Sequence, residues 1–119
     1  MKTASRNALP PLELYQTEWC PASRRVRQRL TELDVAYVVR QVPVERGGRA
    51  ELLARTGVDS IPVLIDGKGD AYVGEVEILS FLDARFEEPS GAEEHRLKAV
   101  KARKRELEEA RRWLEAVTH

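Results

Sequence analysis

Thiols are nearly missing from this chain: Cys20 is the one cysteine among 119 residues. A single cysteine excludes an internal disulfide and an all-cysteine metal site within one chain. Any sulfur that pairs with Cys20 therefore comes from outside the chain. Histidine is scarce too, and His95 and His119 are too few and too distal to form a metal site. No apolar run approaches the roughly 18 residues that a membrane span needs. The opening segment, residues 1–11, has no stretch fit for a signal-peptide core, so a cytoplasmic location is expected. Neither sign of charge is in excess, with Lys+Arg at 20 and Asp+Glu at 20. That balance gives no support to whole-surface binding of nucleic acid or membrane.

What is present describes one globular domain with an extension. The hydrophobic share of 42% is near the globular average, and the length suits a single modest core. Residues 1–11 are polar, end in Pro10-Pro11 and read as a loose arm. Leu12 to Tyr15 alternates as a short strand. A helix opens at Pro21, where the missing proline N–H would have had no partner. Ala22, Val26, Leu30 and Leu33 give that helix an apolar stripe, with arginines on its other faces. Val35 to Val39 is a strand rich in β-branched and aromatic residues. A short helix follows over roughly Arg49 to Thr56, closed by Gly57. Ile61 to Ile65 and Ala71 to Val73 are joined by a glycine-rich turn, which makes an antiparallel hairpin. A helix from Glu75 to Phe86 completes a β-α-β-α-β-β-α order over residues 12–86. The order implies an α/β, thioredoxin-like fold with a mixed four-stranded sheet.

Two short motifs and a helix start carry the chemistry. Cys20-Pro21-Ala22-Ser23 places a thiol at a helix N-terminus, beside unpaired backbone N–H groups and the positive end of the helix dipole. Both favour the thiolate, which is the nucleophile. Ser23 lies one turn on and is able to donate to the sulfur, Arg24 and Arg25 add positive charge, and Glu18 opposes them. Ser60-Ile61-Pro62 suggests a cis Ile61–Pro62 bond. It would leave the backbone N–H and C=O of Ile61 free to grip an extended peptide. At Gly74-Glu75-Val76-Glu77 a helix start offers N–H groups to a carboxylate, and Glu75 and Glu77 accept an ammonium.

From Leu12 to about Phe86 the chain resembles the glutaredoxins in their monothiol form. It is similar as well to the N-terminal domain of glutathione S-transferases and, in its Tyr15-x-Thr17-x-Trp19-Cys20 lead-in, to mycoredoxins. The resemblance implies a thiol–disulfide oxidoreductase in which Cys20 attacks mixed disulfides between proteins and glutathione or another low-molecular-weight thiol. Cys20, Pro21 and Ser23 then form the catalytic motif. Tyr15, Thr17, Ile61, Pro62, Gly74, Glu75, Val76 and Glu77 bind the thiol peptide. The small thiol is a co-substrate, and no tightly bound cofactor or metal is implied. Ser23 stands where dithiol members have a resolving cysteine, Thr17 where many have a lysine, and Val76 where an Asp or Ser binds the γ-glutamyl group. The other readings are a non-catalytic thiol-binding or partner-recruiting module, a transferase-like protein, and an iron–sulfur carrier.

After a Glu87–Gly91 linker the composition turns to Ala, Glu, Lys, Arg and Leu, the signature of one long helix over residues 92–118. Leu97, Val100, Leu107, Trp113, Leu114 and Val117 are too many apolar groups to leave wholly exposed. The expectation is that they cover their own domain, with a homodimer through this helix as the second arrangement. Lys104 and Arg111, at heptad core positions, weaken a long symmetric coiled coil.

Overall fold

A computed structural model describes residues 10–118. The first nine residues of the expected arm, and His119, lie outside the described residues. In chain order the elements are β1 (Leu12–Gln16), α1 (Pro21–Glu32), β2 (Tyr37–Gln41), α2 (Ala50–Thr56), β3 (Val63–Ile65), β4 (Ala71–Val73), α3 (Glu75–Arg85) and α4 (Ala92–Val117). The four strands form one sheet in the order β2-β1-β3-β4. β1 runs parallel to β2 and antiparallel to β3, and β3 pairs with β4 as an antiparallel hairpin. This is the mixed, thioredoxin-like sheet that the order of sequence patterns implies.

Strand alternation divides the core between two faces of the sheet. Leu14 and Leu64 pair across β1 and β3 and point to α1 and α3, where they meet Val26, Leu30, Ile78 and Leu82. All six are fully buried, and truncating one such leucine to alanine costs about 2–5 kcal/mol. On the other face Tyr15, Val63 and Ile65 pack against Leu52 of α2. The stripe expected for α1 is the one observed, with Val26, Leu30 and Leu33 buried and Ala22 at its edge.

Two strands begin later than their sequence patterns suggest. Asp34 has a left-handed φ of 58°, and the Val35 N–H donates to the Leu30 carbonyl at 3.0 Å. The chain is still leaving α1 at Val35, which packs on the first core, so β2 starts at Tyr37. β3 starts at Val63 and not at Ile61. The Ile61–Pro62 peptide bond is cis, and the Ile61 N–H and C=O have no hydrogen-bond partner among the described residues.

α4 corrects one expectation. Its first turn is anchored: Ala92 is buried, Gln28 of α1 donates to the His95 carbonyl, and Arg96 bonds Glu32 of α1 and Glu88. Arg29 of α1 joins the same network through Glu32, Asp83 and Glu88. The apolar residues further along do not cover the domain. Leu97, Val100, Leu107, Trp113, Leu114 and Val117 are all more than half exposed. A helix of 26 residues is about 39 Å long, more than α1 offers as a floor. The molecule is accordingly elongated, with a radius of gyration of 17.0 Å where a compact chain of this length has about 13.5 Å.

Candidate active site

The loop between β1 and α1 sets the thiol. Cys20 is the N-cap of α1, with extended backbone (φ −78°, ψ 119°), and Pro21 is the first helical residue. Its Sγ accepts from the Ser23 N–H at 3.4 Å, in the place a serine or aspartate oxygen takes at other helix starts. Burial pushes the Cys20 thiol up. The Ser23 hydroxyl, the N–H groups of Ser23 and Ala22 and the Arg25 charge outweigh burial and hold it below the ordinary thiol range. Ser23 Oγ is buried and has no other hydrogen-bond partner among the described residues.

Arg27, one turn further along α1, holds the loop that carries the cysteine. Its guanidinium bonds Gln16 Oε1, the Thr17 carbonyl at 3.3 Å and Glu18 Oε2 at 3.3 Å. The Thr17 carbonyl also accepts from the Cys20 N–H at 3.4 Å. Glu18, expected to oppose the thiolate, is instead paired with Arg27. Thr17 is buried, and its hydroxyl has no partner among the described residues.

A chain of contacts links Cys20 to the remaining motifs. Arg25 reaches across to α3 and grips Glu75 at two points, Nε to Oε2 at 2.5 Å and Nη2 to Oε1 at 2.9 Å. Arg25 holds the Glu75 carboxyl below its ordinary range. Glu75 opens α3 behind Gly74, whose φ of 89° and ψ of 159° favour glycine on backbone grounds alone, since an added Cβ would meet nothing within 4 Å. The Gly74 N–H donates to the Pro62 carbonyl at 2.9 Å, which ties the start of α3 to the cis-proline turn.

Cys20 is thus bonded to Thr17 and Ser23, Arg25 to Glu75, and Gly74 to Pro62, with the Arg25 charge acting on the Cys20 sulfur as the link between the two sets. Ile61 flanks them with its open backbone groups. Val76 and Glu77 are exposed on the first turn of α3, and Glu77 has no ion pair among the described residues. Arg24 faces α4 instead of Glu75, in a groove it lines with Val100 and Leu107. Tyr15 is not brought to this surface. Its ring is 2% exposed in the second core, and its hydroxyl donates to Glu51 and accepts from Arg55. The alternation of Leu14 and Tyr15 already puts them on opposite faces, a signal outweighed by the lead-in motif. The Arg25–Glu75 pair carries no sequence signal because it joins segments 50 residues apart, and Arg27 carries none because its role depends on how the loop of Gln16 to Glu18 folds back on α1. A separate cavity of about 500 Å³, lined by Leu12, Tyr72 and Phe81, lies at the other end of the sheet and includes none of these residues. Among the described residues, no cluster of His, Cys, Asp or Glu is placed to hold a metal, and no helix is long and apolar enough to cross a membrane.

Residues 14–90 match the family model described as the glutathione S-transferase N-terminal domain. No curated protein matches. Among solved structures, a glutathione S-transferase from Rhodospirillum rubrum F11 aligns with a TM-score of 0.57 and 29% identity, over 66% of this chain and 35% of that one. A glutathione S-transferase domain-containing protein from Marinobacter aquaeolei VT8 aligns at 0.56 and 30%, over 66% and 40%. A buckwheat glutaredoxin in complex with glutathione aligns at 0.50 and 25%, over 59% of this chain and 66% of that one. The chain thus spans little more than a third of the length of these transferases.

Proposed function

The chain belongs to the glutathione S-transferase N-terminal domain family, and from that premise we propose that it is a glutaredoxin-like monothiol oxidoreductase. Its substrates are mixed disulfides between proteins and a low-molecular-weight thiol, glutathione or a similar one. The observation that carries this reading is the Cys20 sulfur at the N-cap of α1, accepting from Ser23 and held below the ordinary thiol range. A thiol lowered in this way is a larger fraction thiolate than an ordinary cysteine at a given pH, and leaves more readily.

The cycle runs on thiols alone. Cys20 thiolate attacks the small thiol's sulfur in the mixed disulfide. The old S–S bond breaks, a new one forms to Cys20, and the protein thiolate leaves and takes a proton. Since the chain has no second cysteine, a second small thiol, as thiolate, attacks the adduct. It releases the small disulfide and restores Cys20 as thiolate. Two small thiols supply the two electrons. The Ile61 N–H and C=O, unpaired among the described residues, are free to bond the peptide of the small thiol, and its ammonium goes to Glu77 or, in competition with Arg25, to Glu75.

The family match also favours a transferase-like reading, in which Cys20 orients a bound thiol without bonding to it. Mass measurement separates the two. Protein incubated with oxidised glutathione, oxidised mycothiol and a peptide disulfide in turn should gain one small-thiol adduct, absent in Cys20→Ser and released by excess thiol. A protein that forms no adduct with any of the three, yet speeds conjugation of glutathione to an electrophile, would overturn the oxidoreductase reading.

A further inference from the structure

Arg49 is a buried cation that the thiol chemistry leaves unused. It is 6% exposed and stands at the N-cap of α2, where its side chain makes no cap hydrogen bond. Local propensity argues against it there, since helix starts favour Ser, Asp or Asn and disfavour positive charge. No carboxylate bonds it among the described residues. Its guanidinium donates instead to three backbone carbonyls: Nε to Pro43 at 2.9 Å, Nη2 to Val44 at 3.1 Å and Nη1 to Asp59 at 2.8 Å. A buried charge persists where such bonds replace its hydration. The rigid fork of arginine serves carbonyls from two segments at once, which the single point of a lysine ammonium does poorly.

Those two segments border the Cys20 edge of the sheet. Pro43 and Val44 follow β2, whose exit is tied to β1 where the Val42 N–H donates to the Gln16 carbonyl at 3.3 Å. Asp59 lies two residues before Ile61; its carbonyl is held by Arg49 and its carboxylate by Arg46. At the other end of the turn the Pro62 carbonyl accepts from the Gly74 N–H. The stretch from Asp59 to Pro62 is therefore pinned at both ends. Between the pins, the Ile61 N–H and C=O have no partner among the described residues.

We propose that Arg49 is a positioning residue for the small thiol: it fixes the backbone that offers the Ile61 N–H and C=O to the peptide of that thiol. The proposal rests on the oxidoreductase reading and adds to it a residue that acts through the backbone and not on the sulfur. Gly74 ties the docking turn to α3, and Arg49 ties it to the loop after β2. Loss of Arg49 should weaken recognition of a thiol that carries peptide groups and spare the reactivity of Cys20 itself.

The test uses the full chain and two disulfides. Oxidised glutathione brings peptide groups to Ile61, and bis(2-hydroxyethyl) disulfide brings none. Rates of adduct formation on Cys20 are read by mass. Arg49→Lys and Arg49→Gln, checked for fold by far-UV circular dichroism, should slow the glutathione adduct roughly five- to tenfold, the worth of one or two hydrogen bonds. The hydroxyethyl adduct, and the alkylation of Cys20 by iodoacetamide across pH, should stay within about twofold of the parent. Arg46→Ala, which frees the Asp59 carboxylate and not its carbonyl, should leave all three rates as they are. In the parent, the Ile61 amide proton should be protected from hydrogen exchange in the glutathione adduct and not in the hydroxyethyl adduct. A parent that forms neither adduct overturns the oxidoreductase reading, and this proposal with it. With both adducts formed, equal slowing of the two in the Arg49 variants, or slowing of neither, overturns this proposal alone. So does an Ile61 amide that glutathione leaves unprotected, a result that needs no variant to fold.

Discussion

Arg25 and Glu75, 50 residues apart in the chain, form a two-point ion pair that bridges α1 and α3 beside Cys20. Arg25 is shared, since its charge also lowers the Cys20 thiol. Glu75 is the carboxylate proposed to take the ammonium of the small thiol, and that ammonium would compete with Arg25 for it. On that proposal, occupancy of the thiol site would be coupled to the acidity of the nucleophile through this pair.

The first prediction follows from that sharing. Arg25→Ala removes a positive charge from the thiolate and should raise the pH at which Cys20 ionises. Glu75→Gln frees Arg25 and should lower it. The ultraviolet absorbance of the thiolate, followed against pH, reads both. Variants that titrate like the parent would separate the ion pair from the thiol.

A second prediction concerns Ser23. With its hydroxyl gone, Ser23→Ala should lose one of the groups that favour the thiolate, so alkylation of Cys20 slows at neutral pH and recovers as pH rises. Slowing that persists at high pH would point to misplacement of the sulfur instead. Cys20→Ser should reduce exchange to the uncatalysed background while the domain stays folded.

Backbone conformation at Gly74 supplies the third. Its φ and ψ lie in a region that is nearly confined to glycine, so Gly74→Ala should cost about 1–3 kcal/mol in urea unfolding. Gly91, the N-cap of α4 with φ −85°, has similar open space but ordinary backbone. Gly91→Ala should stay within about 0.5 kcal/mol. Equal effects at the two sites would refute the conformational argument.

The fourth prediction is a pH dependence with a defined sign. Arg55 and Arg40 hold the Glu13 carboxyl down to about 2, and Arg96 and Arg29 do the same for Glu88. A carboxylate lowered by folding stabilises the protein fully above its unfolded value, and that stabilisation disappears as pH falls through the folded value. Both contributions should therefore be complete at neutral pH and lost progressively between about pH 4.5 and pH 2. Urea midpoints of Glu13→Gln and Glu88→Gln should lie below the parent at pH 7 and converge on it in acid. A gap that is constant with pH would show that the loss is not electrostatic.

Much of this was decided by neighbouring residues. Pro21 after Cys20 starts α1 and leaves the sulfur at its cap, because a proline at that position has no N–H to lose. The stripe Val26, Leu30 and Leu33 fixes which face of α1 is buried, Gly57 and Gly74 mark helix ends, and Asp66 to Asp70 turn the hairpin. These are local propensities and periodicities, so the sequence by itself determined the order of elements and the position of the thiol. Only the tertiary structure decided which charges meet. Arg25 finds Glu75 because the sheet order β2-β1-β3-β4 places α1 beside α3, and Arg27 takes Glu18 away from Cys20 because the β1–α1 loop folds back along α1. The same register turns Tyr15 to the α2 side, where Glu51 and Arg55 claim its hydroxyl. It also decided that α4 outruns the domain, since the length of a helix is set by its own residues and the length of its floor by the packing of all the others.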